Sequence, residues 1–158
     1  DIPTTVAYLL GIDNDKYLNT SMGRVLVNTN RDATIIKGNE VKGNVKSEEE
    51  YYKGLWKREE EATTGFNDGI AIPHSKNSTV IKPGVFLIKF KNGIEWNSLD
   101  GKDIKTAFAL TIPEDGAENH LKILSAIATE LIDDDFRNNI VNETDKDKLY
   151  NLVSQIKL

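Results

Sequence analysis

The sequence predicts a single α/β domain in which a mixed β-sheet is covered by helices on both faces, a three-layer sandwich. Three observations carry that prediction. Short apolar runs of strand character alternate along the chain with segments of helical periodicity, an order that produces layered α/β packing. The 158 residues fit one domain with one sizeable hydrophobic core. No internal repeat or low-complexity tract divides the chain.

The first 46 residues carry the weakest pattern. Val6 to Leu10 is a short apolar stretch and Gly23 to Val27 (GRVLV) has strand character. Asn28, Asn30, Gly38, Gly43 and Asn44 punctuate the remainder without sustained periodicity, and one or two short strands are expected there. The pattern sharpens at Ser47. The spacing Ser47-Glu48-Glu49-Glu50 is that of a capping box, in which hydroxyl and carboxylate satisfy the exposed N–H groups of a helix start. Tyr52, Leu55 and Trp56 then share a helical face, and the helix is expected to run to about Glu61.

Thr63-Thr64-Gly65 and Asn67-Asp68-Gly69 break that helix. Ile70 to Ile72 reads as a short strand stopped by Pro73, which leaves His74 at the sheet rim. Val85 to Phe90 and Thr106 to Ile112 read as strands, the second apolar enough to be central, with turns expected at Asn92-Gly93 and Asp100-Gly101. A long helix is expected from about Ala117, with Leu121, Leu124, Ile127, Ala128 and Leu131 at i, i+3, i+4 spacing. A last helix from Lys146 to Ile156, capped by Thr144 or Asp145, would bury Leu149, Leu152, Val153 and Ile156.

Composition narrows the chemistry. The chain has no cysteine, which removes disulfides, thiol nucleophiles and Cys-based zinc sites together and suits a reducing, cytoplasmic setting. Twenty-five acidic against 20 basic residues give a formal charge of −5, a poor basis for non-specific nucleic-acid binding. Local anion binding remains open to an acidic domain. No apolar run approaches the roughly 18 residues that span a bilayer, and the start lacks the basic region of a signal peptide. The chain does not begin with Met, which is compatible with excision from a longer one.

With two histidines in all, His74 and His120 are the first places to look. His74 follows a loop rich in Gly, Thr and Asn, whose backbone N–H groups and hydroxyls suit an anion. His120 falls in the first turn of the helix expected from Ala117, where free N–H groups and the helix dipole favour negative charge. A neutral imidazole is a competent nucleophile near pH 7. One histidine can attack phosphorus while the other and Arg58 stabilise the phosphoryl oxygens. Local context alone favours two structural histidines and Arg58 as part of a solvated helix face. A two-histidine metal site also stays open, although no HxH or HxxxH pair makes it compact.

The stretch Arg58-Glu59, Thr64-Gly65, Asn67 and Gly69-Ile70-Ala71-Ile72-Pro73-His74 resembles the signature of the IIA components of the bacterial phosphoenolpyruvate-dependent sugar phosphotransferase system, fructose/mannitol type. That family also includes nitrogen-regulatory relatives. Trp96 to Gly101 (WNSLDG), Ile112-Pro113, His120 to Leu124 (HLKIL) and the expected turn at Asp134-Asp135-Phe136 resemble further blocks of it, in family order. The clear resemblance spans about residues 47–158. Residues 1–46 form an atypical N-terminal part, because residues 28–46 lack the regularly spaced Leu, Ile and Val of the helix the family normally places there.

The resemblance implies a phosphotransferase in which His74 carries the phosphoryl group, His120 orients or stabilises it, and Arg58 supplies a nearby cation. Thr64 and Asn67 would contact the phosphoryl group from the loop. HPr would be the donor and a IIB domain the acceptor, with coupled sugar uptake, a fructose-like preference, and a membrane IIC component elsewhere. No cofactor, metal, direct nucleic-acid contact or membrane insertion is implied. Two alternatives remain: a phosphorylation-dependent regulatory domain, either nitrogen-type or attached to a transcription regulator, and a binding module that kept the fold but lost transfer.

Overall fold

The computed structural model describes residues 34–35 and 44–156, and the expectations for Val6 to Leu10 and Gly23 to Val27 lie outside them. The longest pairing joins β4 (Gly84–Ile94) to β5 (Ile104–Pro113), antiparallel, with Phe86 opposite Ala109 and Ile88 opposite Ala107. β1 (Thr34–Ile35) flanks β4, antiparallel. On the other side of β5 run β2 (Ile70–Ala71) and β3 (His74–Asn77), both parallel to it. The described residues therefore form a mixed five-stranded sheet with β5 at its centre. β5 is buried along almost its whole length, as expected of a strand covered on both faces.

Period-two alternation sorts the side chains into two cores. On one face, Phe86, Ile88, Ala107 and Ala109 pack with Tyr51, Tyr52 and Leu55 of α1 (Glu48–Glu61). On the other, Leu87, Phe108, Leu110 and Ile112 pack with α2 (Ala117–Glu130), α3 (Asp134–Asn142) and α4 (Lys146–Ser154). This is the sandwich read from the sequence, with helices on both faces.

The helix caps follow local chemistry. Ser47 accepts from Glu50 N–H at 3.2 Å, so half of the expected capping box forms. The other half does not, because Ser47 N–H donates to Thr79 Oγ1 at 2.7 Å and needs no carboxylate. Asp145 caps α4, accepting from Lys148 N–H at 3.0 Å.

Several expectations change once the layers are assembled. Trp56 is 39% exposed, because the buried face of α1 is set by Tyr51, Tyr52 and Leu55. Leu121 is 66% exposed and Ala128 is also exposed; α2 turns Ile127, Leu131 and the half-buried Ile123 and Leu124 to the sheet. Asn92-Gly93 makes no strand-ending turn: β4 runs through it with a register shift between Lys89 and Ile94. Asp134 to Phe136 is the first turn of α3, capped by Asp133, where a simple turn was expected. His74 opens a strand where the sequence suggested that one ends, since pairing with β5 resumes immediately beyond Pro73.

Candidate functional site

α1 approaches β3 closely at one point. A Cβ built on Gly54 would lie 2.1 Å from Ser75 Oγ and 2.8 Å from the Asn77 amide nitrogen, so only a residue without a side chain permits this packing. Tyr51 fixes the same helix to the sheet centre by donating its buried hydroxyl to Leu110 O at 2.5 Å. Leu110 is the register partner of His74. Arg58, two turns beyond Tyr51, is thereby delivered to His74.

Both nitrogens of the His74 ring are engaged. Nδ1 lies 2.7 Å from Ile72 O, and a carbonyl oxygen only accepts, so Nδ1 carries the proton. Nε2 is then left with its in-plane lone pair, which accepts from Arg58 Nε–H at 3.1 Å. Arg58 is itself tethered, donating from Nη1 to Ala62 O at 2.8 Å. The His120 ring stands with its centroid 5.4 Å from that of His74, at an interplanar angle of 43°. Its Nδ1 is buried and has no hydrogen-bond partner among the described residues.

Burial, reinforced by the Arg58 charge, holds the His74 pKa below the usual imidazole value, against the opposing pull of the Ile72 hydrogen bond and Glu59. Burial and the neighbouring His74, Lys76 and Arg58 lower that of His120 as well. Both rings are thus favoured in the neutral form that a nucleophile requires.

His74, His120 and Arg58 share one cleft of about 430 Å³. Its other walls are Gly54, Lys57, Glu61, Ser75, Lys76 and Asn77, so its charged lining is three cations against one carboxylate. The sequence reading missed Lys76 and Gly54. Strand alternation from His74 points to Lys76 on the same face, whereas Gly54 gave no signal, because its role depends on the distance to a strand twenty residues away.

Thr64 and Asn67 are not among the cleft-lining residues. Thr64 is buried, and its hydroxyl donates to Glu59 Oε2 at 2.5 Å. Asn67 is exposed and belongs to the tight turn before β2, where Ile70 N–H donates to Asn67 O at 3.3 Å. That turn puts Asp68 and Gly69 at positive φ, 57° and 80°. The Trp96 to Gly101 segment braces it, with Asp68 N–H donating to Asp100 Oδ2 at 2.8 Å and Leu99 N–H to Gly65 O at 3.3 Å. Phe66 is 36% exposed and Ile72 is half-buried against the second core. Among the described residues no group of three or more His, Asp or Glu side chains is placed to hold a metal ion.

Fold and site together define a class: an α/β domain that sets an imidazole, its Nε2 lone pair held by an arginine, in a cationic cleft. The chain belongs to the family described as "Phosphoenolpyruvate-dependent sugar phosphotransferase system, EIIA 2", whose model matches residues 34–156. The match begins ahead of the region of clear resemblance and takes in β1. The chain is 34% identical over 114 residues to the PTS system fructose-specific EIIA component of Haloferax volcanii, covering 72% of this chain and 74% of that one. It is 29% identical over 113 residues to the fructose-specific EIIABC component of Bacillus subtilis, covering 72% of this chain but 18% of that much longer protein. A nitrogen regulatory protein of Pseudomonas aeruginosa is 31% identical over 106 residues, covering 67% and 69%. The crystal structure of nitrogen regulatory protein IIA-Ntr from Neisseria meningitidis shares the fold, with TM-score 0.63 at 24% identity over 68% of this chain and 73% of that one.

Proposed function

We propose that this domain accepts a phosphoryl group on Nε2 of His74 from phosphorylated HPr and passes it to a IIB domain, in a fructose-like branch of sugar uptake. The observation that carries this reading is the state of the His74 ring. Ile72 O holds the proton on Nδ1, so Nε2, which accepts from the cleft residue Arg58, keeps its lone pair. In the transfer step that lone pair forms the new N–P bond while the bond between phosphorus and the donor side chain breaks, and the donor takes back the electron pair. The reverse geometry serves onward transfer.

Little covalent chemistry is asked of the protein, and catalysis is positioning and charge stabilisation. Arg58 and His120 are the groups proposed to meet the phosphoryl oxygens. The resemblance to fructose-specific components supports the branch, and the fused EIIABC relative supports a IIB acceptor. Among the described residues no helix is long and apolar enough to cross a membrane, which fits a domain that meets membrane components from outside the bilayer.

The test is incubation with labelled phosphoenolpyruvate, enzyme I and HPr. Label on the wild type and none on His74→Ala is the expected result; equal labelling of both ends the proposal. The Pseudomonas aeruginosa relative favours a second reading, in which the same chemistry serves regulation. Whether the encoding gene adjoins IIB and IIC segments or a regulator separates the two.

A further inference from the structure

Glu59 follows Arg58 in the last turn of α1, does not line the cleft, and has no role in the transfer just described. Its carboxylate is nevertheless the meeting point of three donors from the next loop. Thr63 Oγ1 donates to Oε1 at 2.9 Å, Thr64 Oγ1 donates to Oε2 at 2.5 Å, and Thr64 N–H lies 3.0 Å from both oxygens. An ionised carboxylate is acceptor-only and satisfies all three.

The loop so held leads directly to both sides of the His74 ring. Thr64 O accepts from Ile72 N–H at 2.9 Å, and Ile72 O is the group that takes the Nδ1 proton of His74. Ala62, the residue before the clamped pair, supplies the carbonyl that tethers Arg58, the donor to Nε2. One carboxylate therefore anchors the chain segment that fixes each of the two ring contacts.

We infer that Glu59 is a positioning residue for phosphoryl transfer: through Thr64 and Ile72 it sets the His74 tautomer, and through the loop at Ala62 it holds Arg58 against Nε2. The inference also gives Thr64 a task, as the hinge of this clamp and not as a phosphoryl ligand. It rests on His74 being the phosphorylated residue, but its first readout does not depend on that.

The experiment uses the full chain with ¹⁵N-labelled histidine. The tautomer of neutral His74 is read from long-range ¹H–¹⁵N correlations in the wild type, Glu59→Gln and Thr64→Val. Phosphorylation rate from phospho-HPr is measured alongside. The wild type is expected in the Nδ1–H form. Both variants are expected to shift toward a mixture with the Nε2–H form and to lose roughly tenfold to a hundredfold in rate, the scale of a small misplacement of reacting groups.

Thr64→Val keeps the Glu59 charge and removes only the hydroxyl, so it separates positioning from simple electrostatics and stands in if the Gln variant does not fold. A slower Glu59→Gln beside an unchanged Thr64→Val, or an Nδ1–H tautomer retained in both, would overturn the proposal. A wild type that takes up no label sinks the carrier function instead, while the tautomer comparison still decides the clamp.

Discussion

Arg58 Nε–H points at the lone pair of His74 Nε2 across 3.1 Å, the nitrogen proposed to take the phosphoryl group. On the proposed reaction the guanidinium would yield Nε2 to phosphorus and turn its N–H groups to the oxygens of the incoming dianion. An electrostatic donor of this kind is worth about 10²–10³ in rate. Arg58→Gln is expected to cost about that factor in His74 phosphorylation. The same variant removes a charge that depresses the His74 pKa, so an NMR titration should find it raised. A fall in pKa would contradict the electrostatic assignment.

His120 is predicted to matter for transfer more than for folding. Its ring reaches the cleft from the first turn of α2, and its Nδ1 gives no hydrogen bond to the protein that folding would forfeit. His120→Ala should slow onward transfer with little loss in melting temperature. A large drop in thermal stability would mark it as structural.

Gly54 sets how close α1 comes to β3. An added methyl group would collide with Ser75 Oγ and the Asn77 amide. Gly54→Ala should destabilise the fold by about 1–3 kcal/mol, the usual scale of overpacking, although alanine is the better helix former. Because the helix must retreat, the Arg58 contact lengthens, and phosphorylation should slow as well. Chemical denaturation and a rate measurement on one sample check both effects.

The lowered histidine pKa values carry a sign for stability. Below the ordinary imidazole pKa of about 6.5, the unfolded chain binds protons that the folded rings resist, so acidification favours unfolding. The histidines' contribution is therefore fully present above about pH 6.5 and falls as pH drops toward their folded values. Melting temperature against pH should decline less steeply through that window in a His74→Gln/His120→Gln double variant. Parallel curves would refute the assignment.

Lys89 holds α3 on the sheet. Burial pulls its pKa down from 10.5 to about 8, so it stays charged at neutral pH. Its ammonium donates to Ile140 O at 2.5 Å, Val141 O at 2.7 Å and Thr106 Oγ1 at 2.7 Å, which matches three N–H groups to three acceptors. The two carbonyls are among the last of α3, where a cation also suits the helix dipole. Lys89→Met should cost about 1–3 kcal/mol by leaving these acceptors unmet. Phosphorylation of the folded variant should be unchanged.

Much of this was legible beforehand because it is local. Caps at Ser47 and Asp145, the broken helix after Glu61, the helix start at Ala117 and the strand character of β4 and β5 all depend on neighbours a few residues apart. The missed features are those where distant packing overrules local signal. Trp56 and Leu121 have the right spacing for burial, but the faces turned to the sheet carry Tyr51, Tyr52 and Leu55 in one helix and Ile127 and Leu131 in the other. The Asn92-Gly93 pair is a strong turn signal overruled by continued pairing of Ile94 with Ile104.

The sequence by itself determined the alternation that makes the layers and the scarcity of histidine that singles out two rings. It also held the ordered blocks that identify the family. Only the tertiary structure decided which imidazole nitrogen bears the proton, because that follows from where Ile72 O and Arg58 Nε come to rest. It alone turned Thr64 toward Glu59 and out of the cleft, since a hydroxyl three residues after a helix end has many possible partners until packing selects one.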